Sequence, residues 1–231
     1  MEPLVTIEGL RKLYGQTLAL DGVSITLPRD RIIGLLGPNG SGKTTLIKIL
    51  AGLLKPTEGS ATIAGLPLGE ASRARVAYLP ERNSLPLSMT RTETLDYFST
   101  FFPDFDRALT ERMLDRLQVP DRPLRTLSKG NREKLQLTLV MGRRADLYLL
   151  DEPIGRVDPA ARDYILEVIK EMRAEGATVL VSTHLIRDVE TILDEFVFIA
   201  NAHFVRYGSV AAVKAESGKT LDEIFREVFR C

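Results

Sequence analysis

Gly37-Pro38-Asn39-Gly40-Ser41-Gly42-Lys43-Thr44 fills every fixed position of the eight-residue phosphate-binding loop pattern. Glycines let successive backbone N–H groups converge on phosphate oxygens, and a following helix adds the partial positive charge of its N-terminus. Lys43 has the reach for β- and γ-phosphates, and the Thr44 hydroxyl suits Mg²⁺. The flanks agree with that mechanism. Residues 31–36, Arg-Ile-Ile-Gly-Leu-Leu, are a short apolar run of strand type, and residues 44–54 carry Leu46, Ile47, Leu50, Leu53 and Leu54 at helical spacing. Gly37, Pro38, Asn39, Gly40, Ser41, Gly42, Lys43, Thr44 and Thr45 are therefore the candidate nucleotide-binding residues.

Outward from the loop, the N-terminal segments alternate as half-buried strands do: Leu4, Val5 and Ile7, then Val23, Ile25 and Leu27. An antiparallel unit is expected there. Strands are also expected at 60–64 and 76–79, between turns marked by Pro56, Gly59, Gly65 and Pro67. From 90 to 144 the pattern becomes helical, with Leu95, Phe98, Phe101 and Phe102 in one segment and Leu109, Met113, Leu114 and Leu117 in the next. Strand signals resume at 147–150 and 178–182. Between them, residues 159–175 form a helix with Tyr164, Ile165, Val168, Ile169 and Met172 as its apolar face. Strand, helix, strand implies parallel pairing. Residues 196–199 and 204–207 read as late edge strands, and 221–229 as a terminal helix. The fold class is α/β: a P-loop NTPase core with a parallel sheet, an N-terminal antiparallel β subdomain and an inserted α-helical subdomain. Residues 1–231 form one domain, with the core drawn from 1–89 and 145–231 and the helical part from 90–144.

Composition narrows the function classes. The 231 residues are 44% hydrophobic and 27% charged, the balance of an ordinary globular protein. The 31 Lys+Arg offset 31 Asp+Glu, so no global positive field holds a nucleic-acid backbone. The single cysteine, Cys231, forms no internal disulfide and fits a reducing compartment. The first 14 residues lack a leader pattern, and no uncharged apolar run approaches the roughly 18 residues of a spanning helix. A cytoplasmic chain that reaches the membrane only through a partner is expected.

A phosphate loop needs a metal-side carboxylate, and the 147–150 run delivers Asp151 at the C-terminal end of a buried strand. The adjacent Glu152 is read as pointing to the other side of the extended chain, where it orients or deprotonates a water attacking the γ-phosphate.

With these residues in place the chain resembles the ATP-binding subunit of ABC transporters, over nearly its whole length and in order. Leu127-Ser128-Lys129-Gly130-Asn131 stands at the signature position ahead of a helix. His184, after Ser182-Thr183, matches the family's switch histidine, and Asp158 its aspartate after the strand pair. Tyr14 matches the aromatic that stacks on adenine, and Pro80-Glu81 falls where a glutamine joins the core to the helical part. The resemblance implies a head-to-tail homodimer or heterodimer with two ATP molecules between subunits. Ser128 and Gly130 would then contact the γ-phosphate bound by the partner's Lys43, while His184 contacts it from its own subunit. Lys43, Glu152 and His184 are the implied catalytic residues. Thr44, Glu81 and Asp151 are the implied Mg²⁺ ligands. A short permease helix would dock near 81–89, on Arg82, Asn83 and residues 85–89.

Three departures from the family pattern stand out. Glu81 replaces the glutamine, and its carboxylate still offers oxygen to Mg²⁺. Lys129 and Asn131 replace the second glycine and the glutamine of the signature, which places a cation beside the partner's triphosphate. Residues 155–158 differ from the common small apolar linker. These variants resemble the subgroup that pairs a separate ATPase with an exporter-type membrane subunit. The expected function is an ATPase that powers a separate transmembrane permease, in the export direction, from the cytoplasmic face of the plasma membrane. Two alternatives remain: a soluble ABC-type ATPase acting on nucleic acid or the ribosome, which the zero net charge opposes, and a nucleotide-gated module that does not hydrolyse, which Glu152 and His184 oppose.

Overall fold

The computed structural model describes residues 2–82, 84–155 and 159–229, with the backbone alone at 159–161. β1 (Val5–Tyr14) and β2 (Thr17–Leu27) pair antiparallel, with Val5 opposite Leu27 and Tyr14 opposite Thr17. β3 (Ile32–Leu36) is buried at every residue and runs into the phosphate loop, from which α1 (Lys43–Leu50) leaves. β4 (Glu58–Ile63) returns antiparallel to β1 and carries the short β5 (Leu66–Pro67). α2 (Glu70–Arg73) leads into β6 (Val76–Leu79). Helices α3 (Arg91–Phe101), α4 (Arg107–Arg116) and α5 (Lys129–Met141) follow. Then come β7 (Leu147–Asp151), α6 (Pro159–Met172), β8 (Thr178–Thr183) and α7 (Ile186–Val189). β9 (Glu195–Ala200), β10 (His203–Ser209), α8 (Val210–Ser217) and α9 (Leu221–Val228) complete the described chain.

Among the described residues the strands form two sheets, ordered β2-β1-β4-β5 and β10-β9-β3-β8-β7-β6. The first is antiparallel; in the second only β10 runs against its neighbour. The two-residue period of the strands divides the apolar interior in two. Leu147 and Leu149 share a cluster with Ile33, Leu35, the N-terminal sheet and Leu46, Ile47 and Leu50 of α1. Tyr148 and Leu150 face a second cluster with Phe196, Phe198 and the helices α3 to α6. Helix α1 therefore packs against both sheets, and each of its buried leucines contributes roughly 1.5–3 kcal/mol. The phosphate loop is held at both ends by core.

Several sequence expectations are corrected. β9 is no edge strand: it lies between β3 and β10, buried through residues 196–199, and β10 alone takes the edge on that side. A strand covered on both faces reads as a continuous apolar run, which residues 196–199 are. Helix α1 stops at Leu50, and Leu53 lies exposed past Gly52, which sits at φ +70°. Phe101 is 61% exposed, with its ring 4.6 Å from that of Tyr97. Tyr164 is also outside the apolar face of α6, beneath the ammonium of Lys134 at 4.6 Å. No helix among the described residues is long and apolar enough to cross a membrane.

Candidate active site

The loop's glycines answer to crowding as well as to conformation. A Cβ on Gly37 would stand 2.2 Å from the Ile199 carbonyl oxygen, and one on Gly42, at φ +109°, 2.4 Å from that of Ala19. No side chain caps α1, whose first residues Lys43, Thr44 and Thr45 line a cavity of about 480 Å³ with Asn39, Gly40, Gly42, Ala19, Glu81, Glu152, Gly155 and His184. Uncapped N–H groups at a helix start are an anion site. The Lys43 ammonium is folded back into the loop, donating to the carbonyls of Gly37 (2.8 Å) and Pro38 (3.0 Å), with Glu152 Oε1 at 3.7 Å. Burial pushes its pKa down, while Glu152 and Asp151 pull it back up.

β7 ends at the buried Asp151, whose Oδ1 accepts from the Thr44 hydroxyl (3.0 Å) and the Ser182 hydroxyl (2.6 Å). Burial first, then the charges of Glu152 and Glu81, raise the pKa of this carboxyl; the two hydroxyls work in the opposite sense. Its Oδ2 is buried with no hydrogen-bond partner among the described residues. Burial, then the charges of Asp151 and Glu81, push the Tyr78 phenol up to about 12. Thr44, Asp151 and Glu81 are thus hard oxygen donors around a point where ionised carboxyl is disfavoured, which suits a divalent cation. Among the described residues no cluster of three or more His, Cys, Asp or Glu side chains could hold a metal. Such a site fits a cation that also takes phosphate oxygens as ligands.

Glu152 reaches the cavity by a different route from the one expected. It sits at φ +50°, in the left-handed region just past the strand, so a turn and not the pleat of β7 aims its side chain. Its N–H donates to the Ser182 carbonyl at 3.0 Å. Its carboxylate accepts from Thr183 Oγ1 at 3.2 Å and meets His184 Nδ1 at 3.1 Å from both oxygens. Lys43, Glu152 and His184 are thereby brought together.

The other candidates lie apart. Tyr14, at the end of β1, is 48% exposed and does not line the cavity, although Ala19 on β2 does. Ser128 caps α5 by accepting from the Asn131 N–H at 3.2 Å, and neither it nor Gly130 lines the cavity. Leu85 and Met89 pack partly against the core, leaving Leu87 and Arg82 exposed on the expected docking segment. Asn83, the 156–158 stretch with Asp158, and Cys231 lie outside the described residues.

Sequence reading missed Ser182 and Gln136. Ser182 is one of three polar residues of β8, with Thr178 and Thr183, and stands in register with Asp151. Gln136, buried on α5, turns toward a cavity of about 30 Å³ shared with Glu81, Asp151 and Glu152, and its Nε2 has no hydrogen-bond partner among the described residues. Helical spacing gave no signal for it.

Comparison with known proteins matches residues 20–155, more than half the chain, to the ABC transporter family. The chain is 35% identical over 215 residues to Nod factor export ATP-binding protein I of Ralstonia nicotianae, covering 89% of this chain and 67% of that protein. It is 33% identical over 230 residues to the uncharacterized ABC transporter ATP-binding protein YdbJ of Bacillus subtilis, covering 96% and 75%. Among solved structures, the ATP binding subunit of an ABC transporter superposes with a TM-score of 0.86 at 28% identity, covering 98% of this chain and all of that one. A dimeric ATP-binding cassette bound to ADP and Pi superposes at 0.77 with 20% identity, covering 89% and 98%, a likeness of fold alone.

Proposed function

The chain belongs to the ABC transporter family as an ATP-binding, ATP-hydrolysing subunit, and from that premise we propose that it powers a separate transmembrane permease, in the export direction, from the cytoplasmic face of the membrane. The observation that carries the reading is the Glu152 carboxylate, held by Thr183 and His184 at the rim of a phosphate-loop cavity and 3.7 Å from Lys43. Relatives named for export of a Nod factor support the direction.

In the proposed mechanism the α- and β-phosphates lie against the N–H groups at the start of α1, and Lys43 exchanges its two loop carbonyls for β- and γ-phosphate oxygens. Thr44, Asp151 and Glu81 would hold Mg²⁺, which would supply positive charge against the charge of the phosphates. Glu152 orients the attacking water and takes its proton as oxygen bonds to phosphorus and the bond to ADP breaks. His184, hydrogen-bonded to Glu152, faces the γ-phosphate. Tyr14 stacks on adenine from the exposed hairpin. Ser128 and Gly130 serve the site of a second ATPase subunit.

Two substitutions test the reading. Glu152→Gln is expected to keep Mg·ATP binding while hydrolysis falls about 10²–10⁴-fold, the scale of a lost general base. Lys43→Ala is expected to lose nucleotide binding itself. Hydrolysis at the wild-type rate by Glu152→Gln would remove the base assignment. For the permease, purification from native membranes in mild detergent is expected to recover a multi-span protein that raises the ATPase rate. Recovery of ribosomes or nucleic acid instead would overturn the transport role.

A further inference from the structure

Residues 210–229 form two helices that contribute nothing to the cavity lining, yet they are joined to the segment that carries His184. We propose that α8 and α9 are a brace that positions His184 against Glu152, acting through α7; the proposal rests on the reading of His184 as a γ-phosphate contact.

His184 follows β8 directly, and one residue later the chain enters α7, a helix of four residues. A helix this short has no stability of its own and takes its position from what it packs on. Three polar side chains in and just after α7 each reach a different helix. Arg187 Nε meets Asp222 Oδ2 of α9 at 2.7 Å, Asp188 Oδ2 meets Arg162 Nη1 of α6 at 2.6 Å, and Glu190 Oε1 meets Lys214 Nζ of α8 at 2.6 Å. Between these pairs, Ile186 and Val189 are buried in one apolar cluster with Val210, Val213, Leu221 and Ile224.

The brace is itself anchored. Thr220 and Glu223 form a capping box at the start of α9, and the rings of Phe225 and Phe229 meet Phe198 of β9 at 5.3 and 5.7 Å. At the other end, the Leu185 N–H donates to Thr183 Oγ1 at 3.0 Å, and that hydroxyl donates to Glu152. A displacement of α7 therefore reaches both the base and the histidine that faces it. Arg187 and Lys214 are substantially exposed, but their partners Asp222 and Glu190 are not, with side chains 13% and 9% accessible. One such pair alone is weak; several converging on four residues fix an orientation.

The test is Arg187→Ala/Lys214→Ala in the full chain, read by steady-state ATPase kinetics and by the imidazole NMR signals. The sequence holds two histidines, His184 and His203, so the spectrum is simple. The expected result is a fall in kcat of about five- to tenfold with KM unchanged within about twofold, the scale of two partly exposed pairs. The His184 signal shifts and the His203 signal does not. Arg187→Lys/Lys214→Arg, which keeps both charges, is expected to restore kcat. Unchanged kcat and an unmoved His184 signal in a folded double variant would overturn the brace, as would failure of the conservative pair to rescue. If the double variant does not fold, Lys214→Ala alone carries the same expectation at about two- to threefold. His184→Ala separates the two readings. If it hydrolyses ATP at the wild-type rate, the role of His184 has failed; if it is inactive while the double variant keeps the wild-type kcat, the brace has.

Discussion

Asp151 and Lys43 are groups whose charged forms are resisted by burial. Burial, Glu152 and Glu81 raise the Asp151 pKa above its ordinary 3.8. An acid so shifted binds its proton more tightly in the folded state. Its contribution to stability is full below the unfolded value and is lost as pH rises through the folded one, leaving a net cost at neutral pH. Lys43 is shifted down from 10.5, chiefly by burial, so its charged form is the disfavoured one. That cost is full below the folded pKa and disappears as pH climbs past 10.5. On the proposed function, a bound nucleotide with its cation would supply the missing countercharges to both. Asp151→Asn is therefore expected to melt above wild type without nucleotide at neutral pH. The gap narrows as pH falls toward the folded pKa of Asp151. The further rise in melting temperature that Mg·ATP gives wild type is lost in the variant. A scanning fluorimetry series over pH checks this; an Asp151→Asn that melts below wild type at pH 7 counts against it.

Between elements, Arg143 does for the helical stretch what Asp151 does for the site. Its buried guanidinium donates to the carbonyls of Val76 (2.6 Å) and Ala74 (3.1 Å), grips Asp104 at 3.0 and 2.9 Å, and lies 4.3 Å from the Phe102 ring centroid. It ties the end of α5 to β6 and to the α3–α4 turn. Arg143→Ala leaves two carbonyls and a carboxylate without partners and is expected to cost about 3–5 kcal/mol, roughly 10 °C in melting temperature. Arg143→Lys recovers little, because one ammonium cannot replace a planar fork of donors. Thermal unfolding by circular dichroism decides it: a lysine variant that melts with wild type would show that charge alone suffices. None of these contacts is visible in local sequence. The phosphate loop, β7 with Asp151, and the strand-helix-strand order were legible because spacing and period encode them. The interior place of β9 was not, since strand neighbours are fixed by pairings distant in sequence, such as Gly34 with Phe196. The aim of Glu152 depends on one left-handed residue, and Ser182 matters only once the Asp151–Ser182 register exists. The α8 segment, Val-Ala-Ala-Val at its start, has too weak an apolar stripe to announce itself.

For the whole molecule, the decisive fact is a separation. Lys43, Glu152 and His184 line one cavity, while Ser128 and Gly130, at the start of α5, stand outside it in the same chain. In a head-to-tail homodimer each ATP would take its phosphate loop from one chain and its signature residues from the other. That arrangement makes a prediction no monomer shares. Lys43→Ala and Ser128→Ala are each expected to be inactive when prepared alone. In a mixed dimer, however, the intact Lys43 of one chain faces the intact Ser128 of the other at one site, and the second site carries both lesions. Random exchange makes half the dimers mixed, each with one working site of two, so an equimolar mixture regains about a quarter of the wild-type rate if the sites turn over independently. The measurement is ATPase activity against mixing ratio, with its maximum at equal amounts. A mixture as inactive as its components would sink the homodimeric arrangement and return Ser128 to its own chain's helix cap, where its hydrogen bond to Asn131 already gives it a structural use.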